Sequence, residues 1–308
     1  MNTRRTILHA SLALASAAVL GAAAFGTPAQ ATSTATNVAC SLGAGSVTAA
    51  GAQTSSQVTA GAPPTKSTGQ SVAGVYQPGN VRVTSSYTTE PNISGADIAG
   101  WVIQGGSLYR HTYWVTGGGD IDPSVPNSFK RVGGGWTSFI ALETSAYEGQ
   151  NRLRATAYGL RNDGTMFRWN NSAPSWRATG SAAGFSSIKS MALISKTYTY
   201  DTFLANTRGG ALYTIRIPAA SPMKPIVTKV RSSGWQSFEK LIASKCGQYG
   251  TLLLGIDKDT KSGFLYAVGH ANGASTVINP LGKTTGTYPD PTNFRWGPAN
   301  YLDNLNGD

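Results

Sequence analysis

Arg110, His111, Tyr113 and Trp114 follow one glycine turn in this chain, and Arg168, Trp169, Asn170 and Asn171 follow another. Residues of these types together suit a saccharide. An indole or phenol face covers the apolar side of a pyranose, while amides and cations fix its hydroxyl and acetamido groups. Tyr109, Phe167, Tyr213 and Tyr266 recur at one fixed place after their turns and read as core. Trp169 and Trp114 are freer of that pattern, which makes Trp169, Asn170 and Asn171 with Arg168 the leading candidates for ligand contact, and Trp114 with Tyr113 the next. The turns are not equivalent. Thr214 and Ala267 stand where two of them have arginine, and "NNSAPSW" has no counterpart in "PAASPMK".

Other chemistry is sparse. Beyond the first residues only His111 and His270 are histidines, and H-E-x-x-H, G-x-S-x-G and Cys/His clusters are absent. Asp120, Asp122, Glu143, Glu148 and Asp201 are the carboxylates from which a catalytic pair would have to be drawn, and nothing in the spacing pairs them. "GGGDIDPS", "DKDTKSG" and "NLNGD" each alternate acidic or amide groups as calcium loops do. None supplies the six or more oxygens that calcium takes, and polar turns account for all three. No cofactor and no metal is expected. Cys40 and Cys246 are the two cysteines, and an oxidising compartment would permit them to pair or leave them as separate thiols.

The first 31 residues read as a secretory signal peptide: Arg4 and Arg5, an apolar run from Ala10 to Phe25, and "AQA" at Ala29 to Ala31. "TRRTIL" resembles a twin-arginine signal, with Ile7 and His9 departing from the usual pattern, so the export route stays open. No later segment is long and apolar enough to insert in a membrane. Without Arg4 and Arg5 the 25 basic residues become 23 against 14 acidic ones, a formal charge of +9. The bases are spread singly, which favours attraction to an acidic cell-wall polymer over nucleic acid.

Residues 32–71 are rich in Ala, Ser, Thr, Gly, Gln and Pro, lack aromatics, and read as a disordered tail. From residue 72 short apolar groups alternate with Gly, Asn, Asp and Pro, the pattern of strands and tight turns. "GGGWTSFIAL", "AAGFSSIKSM" and "SSGWQSFEKL" repeat a glycine and an aromatic, with Gly135, Gly184 and Gly234 at steps of 49 and 50 residues. Between them recur "GGSLYR", "DGTMFRW", "GGALYT" and "SGFLYAV", each a glycine turn leading into a strand, and each preceded by an apolar stretch: "ADIAGWVI", "LRATAYGL", "DTFLANT" and "TLLLGID". With outer segments such as "SFKRVGG" and "SWRATGS", the unit is four strands in about 50 residues, one blade of a propeller. The expectation is an all-β propeller of four or five four-stranded blades over residues 72–308. Trp136, Phe185 and Trp235 would be wedges between blades. "VAGVYQPGNVRVTSSY" and "TNFRWGPANYLDNLNGD" would form a further blade or close the ring.

"GWTSFIAL" and "GWQSFEKL", followed by "DGTMFRW" or "SGFLYAV", resemble the repeats of tachylectin-2-type β-propellers, in which G-W-x-x-F-x-x-L precedes an apolar strand and G-x-L-Y. "GADIAGWVIQGGSLYR" with "NLNGD" is similar to related secreted repeats of the form N-G-D-G-x-x-D followed by an apolar residue. The resemblance covers roughly residues 80–308. It implies binding of N-acetylated sugars in pockets between blades. With the signal peptide and the sparse catalytic signals, the expectation is a secreted, non-catalytic module for N-acetylated sugars or cell-wall glycans. The charge supports a different class, an interaction propeller that binds a protein partner or an acidic polymer.

Overall fold

Every glycine turn singled out in the sequence closes an antiparallel hairpin, and the two recurring motifs are joined to each other by hydrogen bonds. The amide of Trp136 donates to the carbonyl of Gly106, that of Phe185 to Gly164, and that of Trp235 to Gly210, each at 3.0 Å. Thus each aromatic docks on the turn of the preceding unit. Gly135, Gly184 and Gly234 directly before them have φ of 83°, 103° and 95°, a left-handed backbone that a side chain would strain. Trp136, Phe185 and Trp235 are buried.

The computed structural model describes residues 39–125, 127–149, 151–172, 176–299 and 302–308. The expected signal peptide at 1–31, and residues 32–38 of the expected tail, lie outside the described residues. The chain opens with β1 (Ser41–Val47), β2 (Gln53–Thr59), β3 (Thr65–Val72), β4 (Val81–Thr84), β5 (Tyr87–Pro91), β6 (Gly95–Gln104), β7 (Ser107–Thr116) and β8 (Ser128–Gly134). Three meanders follow. The first is β9 (Phe139–Gly149), β10 (Arg152–Arg161), β11 (Met166–Asn170) and β12 (Arg177–Ala182). The second is β13 (Ile188–Lys196), β14 (Tyr200–Thr207), β15 (Leu212–Pro218) and β16 (Ile226–Arg231). The third is β17 (Lys240–Cys246), β18 (Gly250–Asp257), β19 (Ser262–Val268) and β20 (Ile278–Lys283), after which comes β21 (Thr292–Pro298). A 3-10 turn spans Gly273–Ser275.

The meanders form three four-stranded antiparallel sheets, and the remaining strands form one nine-stranded sheet in the order β3-β2-β1-β21-β5-β6-β7-β8, with β4 beside β6. Antiparallel pairing of β1 with β21 and parallel pairing of β21 with β5 join the two halves of that sheet. The inner strands touch in a closed cycle: β4 packs on β9, β9 on β13, β13 on β17, β17 on β1 and β21, and β21 on β4. The core divides accordingly. Leu108 and Ile103 meet Trp136 and Leu142; Tyr158 and Leu160 meet Met191 and Phe203; Leu204 and Leu212 meet Trp235 and Leu253. Leu252 and Leu254 meet Leu42 and Val58, and Val47 and Phe294 meet Tyr87 and Val102. Each cluster lies between two successive layers of strands, so burial depends on the neighbour.

Residues 41–72 differ from the expected disordered tail, because they form β1, β2 and β3. Their composition is that of a loop, yet Leu42, Ala44, Val47, Val58 and Val72 point inward and are buried, as are the polar Ser46 and Gln53, which are hydrogen-bonded to Asp290 and Tyr76. Backbone pairing to β21 supplies the order that the side chains do not. Cys40 and Cys246 are joined in a disulfide, their Cα atoms 5.4 Å apart. Among the described residues no helix is long and apolar enough to cross a membrane.

Candidate binding cleft

Between the β5–β8 layer and the β9–β12 sheet lies a cleft of about 470 Å³. Its first wall is set by hairpin register. Trp101 in β6 is directly opposite Arg110 in β7, and Arg110 is directly opposite Lys130 in β8. An indole, a guanidinium and an ammonium thus form one lateral row on one face. The Arg110 guanidinium carbon lies over the Trp101 ring, 5.0 Å from its centre, a cation–π contact that ties the two groups together. The other edge of Trp101 packs against Trp176 at 4.8 Å.

The facing wall is made by Thr144, Ser145 and Ala146 of β9, Leu153 and Ala155 of β10, and Asn171 and Ser172 beyond β11. The Asn171 amide donates to the Ala155 carbonyl, and the Ser172 amide to the Asn170 side-chain oxygen at 2.9 Å. These bonds fix the loop. The side-chain oxygen of Asn171 is buried without a hydrogen-bond partner, an acceptor whose desolvation is left uncompensated. Leu153 is 66 % exposed at the mouth. Among the described residues no aspartate or glutamate lines the cleft.

The residues expected to form the site separate into different places. Asn171 lies in the cleft, and Asn170 positions it. Trp169 is half-buried against Trp136 at 5.0 Å, Phe167 at 5.7 Å and Trp176 at 5.8 Å; it packs where a solvent-facing platform had been expected. Arg168 is 3 % exposed, and its guanidinium donates to the carbonyls of Thr179, Pro218 and Ala220. It ties β11 to the loop after β15, so its charge does not face a ligand. Tyr113 is buried in the core and stacks on His111. Trp114 lies opposite Asp97 away from the cleft, with its indole nitrogen buried and unpartnered.

His111 is also internal. Its Nδ1 accepts from the Tyr87 hydroxyl at 2.8 Å, and its Nε2 is 2.7 Å from the Asn127 side-chain oxygen, which assigns that nitrogen as donor. The Tyr76 hydroxyl donates to the Gln53 side-chain oxygen and lies 2.7 Å from the Tyr87 hydroxyl. Burial pushes the His111 pKa down to about 4; the bond to Asn127 opposes this and the charge of Arg110 adds to it. The imidazole is a neutral structural group.

The carboxylates are dispersed. Asp122 accepts from the amide and hydroxyl of Ser124, which hold its pKa below the usual value, and Asp120 lies in the same turn. Glu143 is buried beside Lys240 at 3.4 Å, and burial raises its pKa. Glu148 lines a separate hollow with Asn304 and Asn306. Asp201 is fully buried and ion-paired to Arg154. Asp308 is ion-paired to Arg216. Among the described residues no group of three His, Cys, Asp or Glu side chains could hold a metal ion.

Trp101 and Lys130 were not picked out by sequence, although a signal existed. The hairpin turns at Gly105–Gly106, and counting outward from Gln104 opposite Ser107 places Trp101 against Arg110.

No family model and no curated protein matches the chain. Among solved structures it is similar to a six-bladed β-propeller fungal lectin from Aleuria aurantia described with a novel fucose recognition mode, at 15 % identity and TM-score 0.41, covering 80 % of this chain and 97 % of that one. A mutant of the Aleuria aurantia lectin in complex with Fucα1-6GlcNAc is similar at 15 % identity and TM-score 0.39, over 76 % and 73 %. The WD40 domain of SCAP from fission yeast is similar at 9 % identity and TM-score 0.36, over 79 % and 70 %.

Proposed function

We propose that the protein is a secreted, non-catalytic, glycan-binding β-propeller of five blades, with the tachylectin-2-like repeats building four and β21 with β1–β3 the fifth. The closed cycle of inner strands and the five clusters between successive layers support the blade count. Residues 1–31 direct export. The observation that carries the function is the cleft: one wall presents an indole and two cations, Trp101, Arg110 and Lys130, and the other is lined by small and polar residues of β9, β10 and the Asn171–Ser172 segment. A pyranose packed on Trp101 would place its polar substituents against Arg110 and Lys130 on that wall and the hydroxyls of Thr144, Ser145 and Ser172 on the other. Cell-wall glycans with N-acetylated or acidic sugars are the ligand class.

The test is a glycan array probed with the protein and with Ser172→Trp, a change at an exposed position that fills the mouth of the cleft. Glycan retention that is lost in the variant, at an unchanged melting temperature, supports the assignment. Absence of any glycan retention by the unaltered protein overturns it. Retention that survives Ser172→Trp moves the site elsewhere. A protein or acidic-polymer partner is the second reading, favoured by the two cations of the wall. It predicts binding lost at high salt without sugar selectivity.

A further inference from the structure

We infer that the cleft takes a carboxylate-bearing saccharide, a hexuronate or related acidic pyranose, with the carboxylate against Arg110 and Lys130. This rests on the glycan-binding reading above and adds the charge of the sugar. Like charges directly opposite one another in a sheet repel. Arg110 and Lys130 are such a pair, and neither makes a hydrogen bond or ion pair to any described residue. With no acidic group lining the cleft, the row of cations lacks the counter-charge that an anionic ligand would bring. A guanidinium and an ammonium on one wall suit a carboxylate held at the rim of a stacked ring.

The chain contains an internal precedent in the corresponding cleft between the β13–β16 and β17–β20 sheets. Ala99, which lines the open cleft, stands four positions before Ile103, the residue opposite Leu108; Thr202 stands four before Asn206, the residue opposite Leu212. Ala155 stands four before Gly159, which lies against Phe139, and Thr251 stands four before Gly255, which lies against Phe238. Thr202 is thus the register counterpart of Ala99, and Thr251 matches Ala155 by its distance from the glycine packed on phenylalanine. Both are covered by Leu305–Asp308. The Gly307 amide donates to the Ile194 carbonyl at 2.9 Å, and its own carbonyl accepts from Ala271 at 2.7 Å. A Cβ on Gly307 would stand 2.3 Å from the Thr251 hydroxyl, so only glycine fits. The Asp308 carboxylate accepts from Thr202 and from Arg216, at 2.9 Å from the guanidinium Nε. One cleft of this architecture thus already holds a carboxylate on an arginine of its β15 wall. The open cleft has its arginine two positions nearer the turn on the equivalent strand and adds Trp101, whose ring suits a sugar better than a peptide.

The experiment titrates the protein by calorimetry with methyl glucuronoside, its uncharged methyl ester, and the tetrapeptide Leu-Asn-Gly-Asp, and repeats this with Lys130→Gln and Arg110→Gln. The expected result is binding of the glucuronoside about tenfold or more tighter than the ester, a difference of about 1.4 kcal/mol, which shrinks in Lys130→Gln. Lys130 is exposed, so that variant tests the charge even if Arg110→Gln fails to fold. Equal affinity for acid and ester overturns the inference and leaves glycan binding standing. Binding of the tetrapeptide with neither sugar bound also overturns it and assigns the cleft to acidic peptides. If no sugar binds and the glycan array is blank as well, both readings fall.

Discussion

Arg154 in one sheet holds Asp201 in the next through two guanidinium bonds of 2.5 and 2.6 Å. The carboxylate is fully buried and also accepts from Ser145 and Tyr158, each at 2.6 Å. Four donors on one carboxylate satisfy its lone pairs, which is the condition under which a buried charge is tolerated. Removing the acid with Asp201→Ala strands a guanidinium and two hydroxyls between the sheets. The expected loss is about 3–5 kcal/mol, read by urea unfolding, whereas Tyr158→Phe should cost about 1.5–3 kcal/mol. Equal, small losses in both variants would show that the pair is solvated.

Stability should fall in two separate steps on acidification. His111 has its pKa depressed from 6.5 to about 4, so the unfolded chain binds a proton that the folded chain refuses. Its contribution is present above pH 6.5 and is lost as pH falls toward 4. At about 1.4 kcal/mol per unit of pKa the loss reaches roughly 3 kcal/mol. Tyr76, Tyr87 and Tyr113 face the ring and stay neutral in this range, their pKa values raised by burial. For Asp303, burial opposes ionisation, but Arg295 and Lys196 outweigh it and bring the pKa from 3.8 to about 2. Its contribution is lost only below pH 3.8. Urea midpoints measured from pH 7 to pH 3 should decline in the first window, and a flat profile there would refute the buried neutral imidazole.

Trp136→Ala and Trp235→Ala should each cost about 3–5 kcal/mol, because both indoles are 6 % exposed and wedge between sheets. Trp169→Ala should also lower the melting temperature, since Trp169 packs in the same aromatic group as Trp136. A Trp169→Ala variant that melts like the parent would return this indole to the surface.

The unit of four strands was legible because glycine turns and alternating apolar residues have a period that no helix shares. Trp136 and Trp235 were legible as wedges for the same reason: a repeated aromatic after a positive-φ glycine has only a packing role. β1–β3 were not. Ser55, Ser56, Gln57 and their neighbours face outward, and the few inward residues are too widely spaced to mark a strand without knowledge of the partner β21. The cleft was half legible. Asn171 and Arg110 were among the candidates by residue type, but the burial of Arg168 and Tyr113 depends on which face of each strand meets the next sheet, and Lys130 enters the wall only through pairing with β7.

Reducing the Cys40–Cys246 bond should weaken the protein by about 5 kcal/mol on the chain-entropy estimate, since the cysteines are 206 positions apart. Thermal melts with and without a reductant, and of Cys40→Ser with Cys246→Ser, measure it. An unchanged melting temperature would mean that pairing of β1 with β21 alone secures the seam.

That seam also dictates the order of assembly. Val47 lies opposite Thr292, so a strand among the earliest described must await one of the last. Closure over such a span carries a logarithmic entropy cost and slows folding. Until it occurs, β1 and β5 each show an unsatisfied ladder edge, a template that accepts a strand from any chain. At high concentration the competing product is a dimer in which each molecule lends its β21 to the other. A cystine formed within one chain holds β1 beside β17 and so would shorten the search that β21 must make, which would give oxidation a role in keeping each molecule paired with itself.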